Sequence, residues 1–258
     1  MFIHSVVEIS KNHPRYKSLA IRERMAELSQ RGIVATTGLI AHGRGEAYDY
    51  LLGEMTVPEG EKAEEVAAAH LLEAVNPVIS VNGNAAALCA EEIISLAEAV
   101  PAKMEVNLFH RSEKRIEAVC SYMESMGAKR ILGRRPDARL EGITSDRALC
   151  TREGIHSADV VLVPLEDGDR AEALMAAGKV AIAIDLNPLS RTSRTATVSV
   201  VDEVTRAIPN IERFVSELRS HPDKRRRLIR DFDNQANLKG VARRICSHLV
   251  EDIDQGKA

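Results

Sequence analysis

A chain of 258 residues, 28% charged and 45% hydrophobic with a formal net charge of -3, has the composition of an ordinary globular protein able to bury a sizeable core. That charge offers polyanions no global attraction, and with no Trp and 3% aromatic residues there are few platforms for stacked bases. No apolar stretch approaches the ~18 residues of a membrane span, no signal peptide opens the chain, and Cys89, Cys120, Cys150 and Cys246 lack CxxC spacing, so a cytoplasmic protein without nucleic-acid or membrane partners is expected.

Residues 14–31 carry Leu19, Met25 and Leu28 on a helical repeat, and Gly32 stands where a C-cap glycine would. Residues 33–40 read as a short strand, and His42-Gly43-Arg44-Gly45-Glu46 as a glycine segment leading into a helix through Leu52. An Ala-rich helix with an acidic first turn covers residues 61–74. Pro77 opens a strand over residues 78–81, followed by Asn82-Gly83-Asn84 and a helix to about Val100. A strand is predicted at 104–109, a helix at 112–126 and a weaker strand at Ile131-Leu132. Residues 133–153 mix arginines, Pro136 and short polar runs, and read as an irregular excursion over the site. The continuous β-branched runs 159–163 and 180–184 are the clearest buried strands, joined by an acidic turn and a helix at 171–177. A short strand at 197–201, a helix at 202–219 and one long amphipathic helix after Pro222 complete the chain.

This alternation specifies an α/β fold, a Rossmann-like parallel sheet flanked by helices and joined by right-handed crossovers, with additional N-terminal and C-terminal helices. A single domain is expected, with a helical layer over about residues 1–75, the core over about 76–220 and a terminal helix over about 222–254.

The GxGxxG and GxxxxGK[ST] fingerprints are absent, which disfavours a nicotinamide cofactor and an ordinary P-loop. The segment 185–195 is richer. It follows a buried strand and holds Asp185, Asn187, four hydroxyls, Arg191 and Arg194, at the edge where open parallel sheets bind ligands. Its arginines can clamp phosphate or carboxylate, and Asp185 can hold a ribose hydroxyl or a magnesium ion. Gly38 to Ala47 reads either as an anion site, with backbone amides and Arg44 around a phosphate, or as a plain glycine turn. Asn82 and Asn84 are candidate substrate contacts or helix caps, and Asn107, polar in an apolar strand, is a substrate contact or a satisfied structural group. Glu166-Asp167-Gly168-Asp169 can hold magnesium or make a turn and cap. Lys224 to Arg227 reads as the solvated face of a helix whose Leu228, Ile229 and Phe232 pack inward.

Together, His13-Pro14-Arg15-Tyr16, the segments 38–47, 78–87 and 105–109, and the long runs SADVVLVPLEDGDR and AIDLNPLSRTSRTATV resemble the archaeal phosphopantothenate synthetases, or 4-phosphopantoate:β-alanine ligases. The likeness covers most of residues 12–215, with residues 133–153 more divergent. It implies an ATP-dependent ligase of coenzyme A biosynthesis, using Mg²⁺, that condenses 4-phosphopantoate with β-alanine as a homodimer. Arg22, Arg44, Asp185, Leu186, Asn187, Arg191, Thr192, Glu203 and Val204 would line its ATP pocket. Arg44, Arg191 and Asp185 are the expected catalytic residues, and Asn82, Asn84 and Asn107 the expected phosphopantoate contacts. An ADP-forming ligase acting through an acyl phosphate, and a nucleotide-sensing dimer without turnover, are the alternatives.

Overall fold

The computed structural model describes residues 10–13, 15–165 and 168–254; Pro14, expected to open the first helix, and Glu166-Asp167 lie outside them. Helix α1 (Tyr16–Gln30) ends as expected, with Gly32 at φ 77°, a conformation that costs glycine little.

The next segment departs from expectation. Ile33 and Val34, both buried, form a bend, only Ala35 is extended, and α2 (Thr36–Leu51) takes in the whole glycine segment. β-branched propensity at residues 33–40 is overridden because α2 packs against the site, and its glycines serve that approach. A Cβ at Gly38 would collide with Asn84 Oδ1, and one at Gly45 would meet Leu186 at 3.5 Å. Backbone amides in mid-helix are spent on the helix, so the expected amide-lined phosphate loop is absent.

Helix α3 (Pro58–Glu73) precedes β1 (Pro77–Val81), α4 (Gly83–Ala99), β2 (Lys103–Val106) and α5 (Glu113–Ser125). The residue 131–132 strand is reduced to an isolated bridge between Leu132 and Glu105. Two short strands, β3 (Ala138–Arg139) and β4 (Leu149–Cys150), pair antiparallel within the irregular excursion. Then come β5 (Val160–Pro164), α6 (Gly168–Ala176), β6 (Val180–Ile184), α7 (Arg191–Thr195), β7 (Val198–Val200) and α8 (Val204–Leu218).

The expected single terminal helix is two, α9 (Pro222–Asp231) and α10 (Asn234–Asp254). Phe232 is extended at ψ 127°, and the Asp233 carboxylate accepts from Ala236 N at 3.0 Å, a new N-cap. Leu228, Ile229 and Phe232 pack on the core, while Lys224, Arg225 and Arg226 pair with Glu65, Glu73 and Asp223.

The main sheet is parallel, in the order β2-β1-β5-β6-β7. Alternating strand residues feed two cores. Ile79, Val81, Leu162, Ile182 and Ile184 face α3, α4 and α8, whereas Val78, Val161, Val163 and Ala181 face Leu174, the excursion's Leu140 and Ile143, and Ile155 just after it. The excursion therefore covers a sheet face that a helix would otherwise close. Buried Glu105 anchors it by accepting from Thr151 N and Ile155 N, each at 2.7 Å, and from Thr151 Oγ1 at 3.0 Å. Among the described residues no helix is long and apolar enough to cross a membrane.

Candidate active site

After β1 the chain first builds β2 on one side, then returns to build β5 on the other, so connections leave β1 and β5 in opposite directions. A crevice opens at such a reversal, beyond the strands' carboxyl ends. A cavity of about 630 Å³ occupies this edge, within the range of small-molecule sites.

Neighbouring strands are ~4.8 Å apart, which puts the β2 and β7 ends of the cavity nearly 20 Å from each other. Loops after β6 and β7 line one end with Asp185, Leu186, Asn187, Arg191, Thr192, Glu203 and Val204. Loops after β1 and β2 line the other with Asn82, Asn84, Phe109 and His110, joined by Arg115 and by Arg147 from the excursion. Helix α2 spans between them, contributing Gly38, His42, Arg44, Gly45, Glu46 and Tyr48.

At the β6 end, Asp185 Oδ1 accepts from Asn187 N at 3.0 Å and Oδ2 from Ser190 Oγ at 2.5 Å. Burial pushes the Asp185 carboxyl up, against the Ser190 and Asn187 hydrogen bonds and the charge of Arg44. Ser190 also caps α7, accepting from Ser193 N at 2.9 Å. Glu203 caps α8, accepting from Thr205 N at 2.8 Å, and burial raises its pKa too. The Arg44 guanidinium carries no hydrogen bond among the described residues, leaving its donors available to an anion. Arg191 lies across Gly168, where a Cβ would strike its Nε, and pairs with Asp169 and, at 3.4 Å, with Glu172. A phosphate would compete with those exposed carboxylates for the guanidinium.

Arg22 stands apart from the lining, held by Glu46 at 3.1 Å, so it reaches the site through that carboxylate. Asn82 is consumed by the fold: Nδ2 donates to Pro164 O at 2.7 Å and Leu165 O at 3.0 Å, tying β1 to β5, while Oδ1 caps α4 through Ala85 N at 2.9 Å. Asn84 lines the cavity and donates to Gly38 O at 2.8 Å. Asn107 follows the structural one of its two expected readings through its amide nitrogen, while its Oδ1, buried, has no partner among the described residues. It is 1% exposed, stands behind the lining, and donates to Leu149 O at 2.9 Å and Arg147 O at 3.2 Å, holding the excursion to β2.

Sequence pattern missed His42, Glu46 and Arg147. His42 and Glu46 were hidden in a segment read as an anion site or a glycine turn; their i, i+4 spacing on one helix is the signal that would have joined them. Arg147, 6% exposed, comes from a stretch without periodicity and had no such signal. Among the described residues no three His, Cys, Asp or Glu side chains gather as a metal site.

An α/β protein with cationic side chains and helix termini at the switch-point edge of a parallel sheet belongs to the class that handles phosphorylated small molecules. The chain belongs to the phosphopantothenate/pantothenate synthetase family, whose model matches residues 59–248. It is 51% identical over 246 residues to the 4-phosphopantoate--beta-alanine ligase of Methanospirillum hungatei, covering 95% of this chain and 100% of that one. The ligase of the same name from Methanosarcina mazei is 48% identical over 245 residues, covering 95% and 96%, and that of Thermococcus onnurineus is 45% identical over 253 residues, covering 97% of each.

Proposed function

We propose that this protein joins 4-phosphopantoate to β-alanine at the expense of ATP, releasing AMP and diphosphate, as a homodimer in the cytoplasm. The observation that carries this reading is one cavity with two arginines toward each end, Arg44 and Arg191 on the β6 side and Arg115 and Arg147 on the β1 and β2 side. Two phosphorylated substrates need such a shape, with their reacting groups meeting between the ends. The names of relatives that align over nearly the whole chain supply the substrates.

In this reading the nucleotide takes the β6 end. Arg44 and Arg191 would carry the charge that develops on its phosphates, with Arg22 recruited from Glu46 as a third cation. Asp185 and Asn187 would hold the ribose, Leu186 and Val204 would pack on the base, and Thr192 and the Glu203 backbone would complete the pocket. Mg²⁺ would arrive on the phosphates with few protein ligands, as it commonly does, and Asp185, close enough to Arg44 to feel its charge, would be a carboxylate placed to receive it.

The 4-phosphopantoate would lie toward Asn84, the α4 N-terminus and Arg147, with Asn82 and Asn107 supporting that end from behind. Its carboxylate oxygen would attack the α-phosphorus in line, expelling diphosphate and leaving an acyl adenylate. The amine of β-alanine would then form the amide and expel AMP. Positioning and charge stabilisation suffice, with no covalent enzyme intermediate. Exposed Tyr50, Met55, Leu249 and Val250 flank the contact between His248 Nδ1 and Leu51 O, and offer the dimer an apolar surface.

The test is to incubate the purified protein with ATP, Mg²⁺, 4-phosphopantoate and β-alanine, quantifying AMP, ADP and amide with each substrate omitted in turn. AMP formed in step with the amide supports the proposal. ADP in its place overturns the adenylate route, and nucleotide binding without any amide overturns the ligase. Light scattering on the eluting peak checks the dimer.

A further inference from the structure

We infer that His42 takes the proton that β-alanine must lose before its nitrogen can attack the acyl adenylate. This rests on the ligase reading above and adds to it the group that makes the amine a nucleophile. The ammonium gives one N–H proton to the His42 imidazole. The freed lone pair forms the C–N bond at the acyl carbon, the bond from that carbon to the adenylate oxygen breaks, and its electron pair leaves with AMP. The adduct's remaining extra proton passes to the departing phosphate or to water, and the imidazolium then returns its own to solvent.

Position is the first support. Gly38 packs against Asn84 at the proposed phosphopantoate end, and Gly45 against Leu186 at the nucleotide end. At ~1.5 Å per residue the two glycines are about 10 Å apart along α2, and His42 falls between them, about 6 Å from the first. That is where a carboxylate from one end meets an α-phosphate from the other.

Chemistry is the second. The imidazole is half-buried in the cavity lining, and neither ring nitrogen has a hydrogen-bond partner among the described residues; Nε2 is shielded from water, which leaves Nδ1 as the nitrogen that can meet a substrate. Burial lowers its pKa, so the ring rests neutral and able to accept a proton. Glu46, one turn further along α2, favours the imidazolium once formed, while Arg22 from α1 opposes it. A base that is neutral at rest and stabilised when charged suits a proton transfer at neutral pH.

The other candidates in the lining are committed. Asp185 holds Asn187 N and Ser190 Oγ, Glu203 holds Thr205 N, and Glu46 holds Ser18 Oγ at 3.0 Å together with Arg22. His110 is exposed at the β2 rim, edge-on to Phe109, a full sheet width from the nucleotide end.

The experiment compares wild type with His42→Gln in three assays. The first is 4-phosphopantoate-dependent exchange of labelled diphosphate into ATP without β-alanine, which reads adenylate formation alone. The second is amide formation with β-alanine, and the third is hydroxamate formation with hydroxylamine, which is already neutral at neutral pH. Exchange within about threefold of wild type, amide formation down by ~10²-fold or more and hydroxamate formation near wild type are expected of a lost general base. Exchange in the variant also reports an intact fold. Equal losses in exchange and amide formation, an equal loss with hydroxylamine, or no loss with β-alanine would each overturn the role of His42. A wild-type protein that forms amide without exchange would instead overturn the adenylate on which the inference rests, and one that forms no amide would overturn the ligase reading beneath it.

Discussion

Glu64, on α3, has no exposed surface, and its carboxyl lies beside Asp202 and the Asn210 amide without a hydrogen bond of good geometry to either. Its charged neighbour Asp202 is 1% exposed and already accepts from Thr56 Oγ1 at 2.5 Å, Glu203 N at 2.7 Å and Arg206 Nε at 2.9 Å. Burial, reinforced by the Asp202 charge, raises the Glu64 pKa far above the ordinary carboxylate range. The folded protein therefore keeps a proton that the unfolded chain releases above pH ~4.3. Between that value and the raised folded one, the native state binds one proton more, so stability falls as pH rises, by ~1.4 kcal/mol per unit. Glu64→Gln keeps the shape of the neutral acid and cannot ionise. Its stability relative to wild type should rise by about 2.7 kcal/mol between pH 6 and pH 8, the product of that slope and the two-unit interval. Urea unfolding followed by far-UV circular dichroism at several pH values measures this; the absence of Trp leaves tyrosine fluorescence as the second probe. Parallel stability curves for variant and wild type across that interval would mean that Glu64 is ionised in the folded state, and would refute the reasoning.

Three further perturbations address the site and its supports. Arg191→Ala should cut turnover by about two orders of magnitude with an unchanged circular dichroism spectrum, as for other lost charge-stabilising donors; near-normal turnover by the folded variant would exclude that role. Gly38→Ala puts a Cβ into Asn84 Oδ1, so the KM for 4-phosphopantoate should rise while the Kd for ATP, measured calorimetrically, stays within about twofold of wild type. Asn234→Ala removes donations from Nδ2 to Ser193 O and Ala196 O, both at 3.0 Å, and acceptance from Ser199 N at 2.8 Å. It should cost ~1–3 kcal/mol of stability in denaturant melts, and an unchanged midpoint would show that the α10 start is not needed to hold the loop after β6.

The sheet was legible because its signal is local. Val160 to Pro164 and Val180 to Ile184 are buried on both faces, and such strands appear in sequence as unbroken β-branched runs. The loop at 185–192 could be singled out for the same reason, since a cluster of polar residues directly after such a strand must emerge at the sheet's carboxyl edge. Helix ends were less legible. The break at Phe232-Asp233 interrupts an amphipathic pattern that continues on both sides, and a single Asp cap is indistinguishable there from a surface charge.

The error at residues 33–47 has a different origin, and it bears on the chemistry. Glycine permits tight turns because it lacks a Cβ, and for the same reason it lets a straight helix lie against another element. Gly38 and Gly45 do the second, against Asn84 and Leu186, and nothing in the local pattern separates the two uses. Read as a turn, the segment brings backbone amides to a phosphate; folded as a helix, it hides those amides and presents side chains instead. The choice between them belongs to Asn84 and Leu186, residues far along the chain. A helix that must lie close to both ends of the cavity thereby carries Arg44 and His42 into its lining, which is why the side chains of this segment, rather than its backbone, are the groups to mutate.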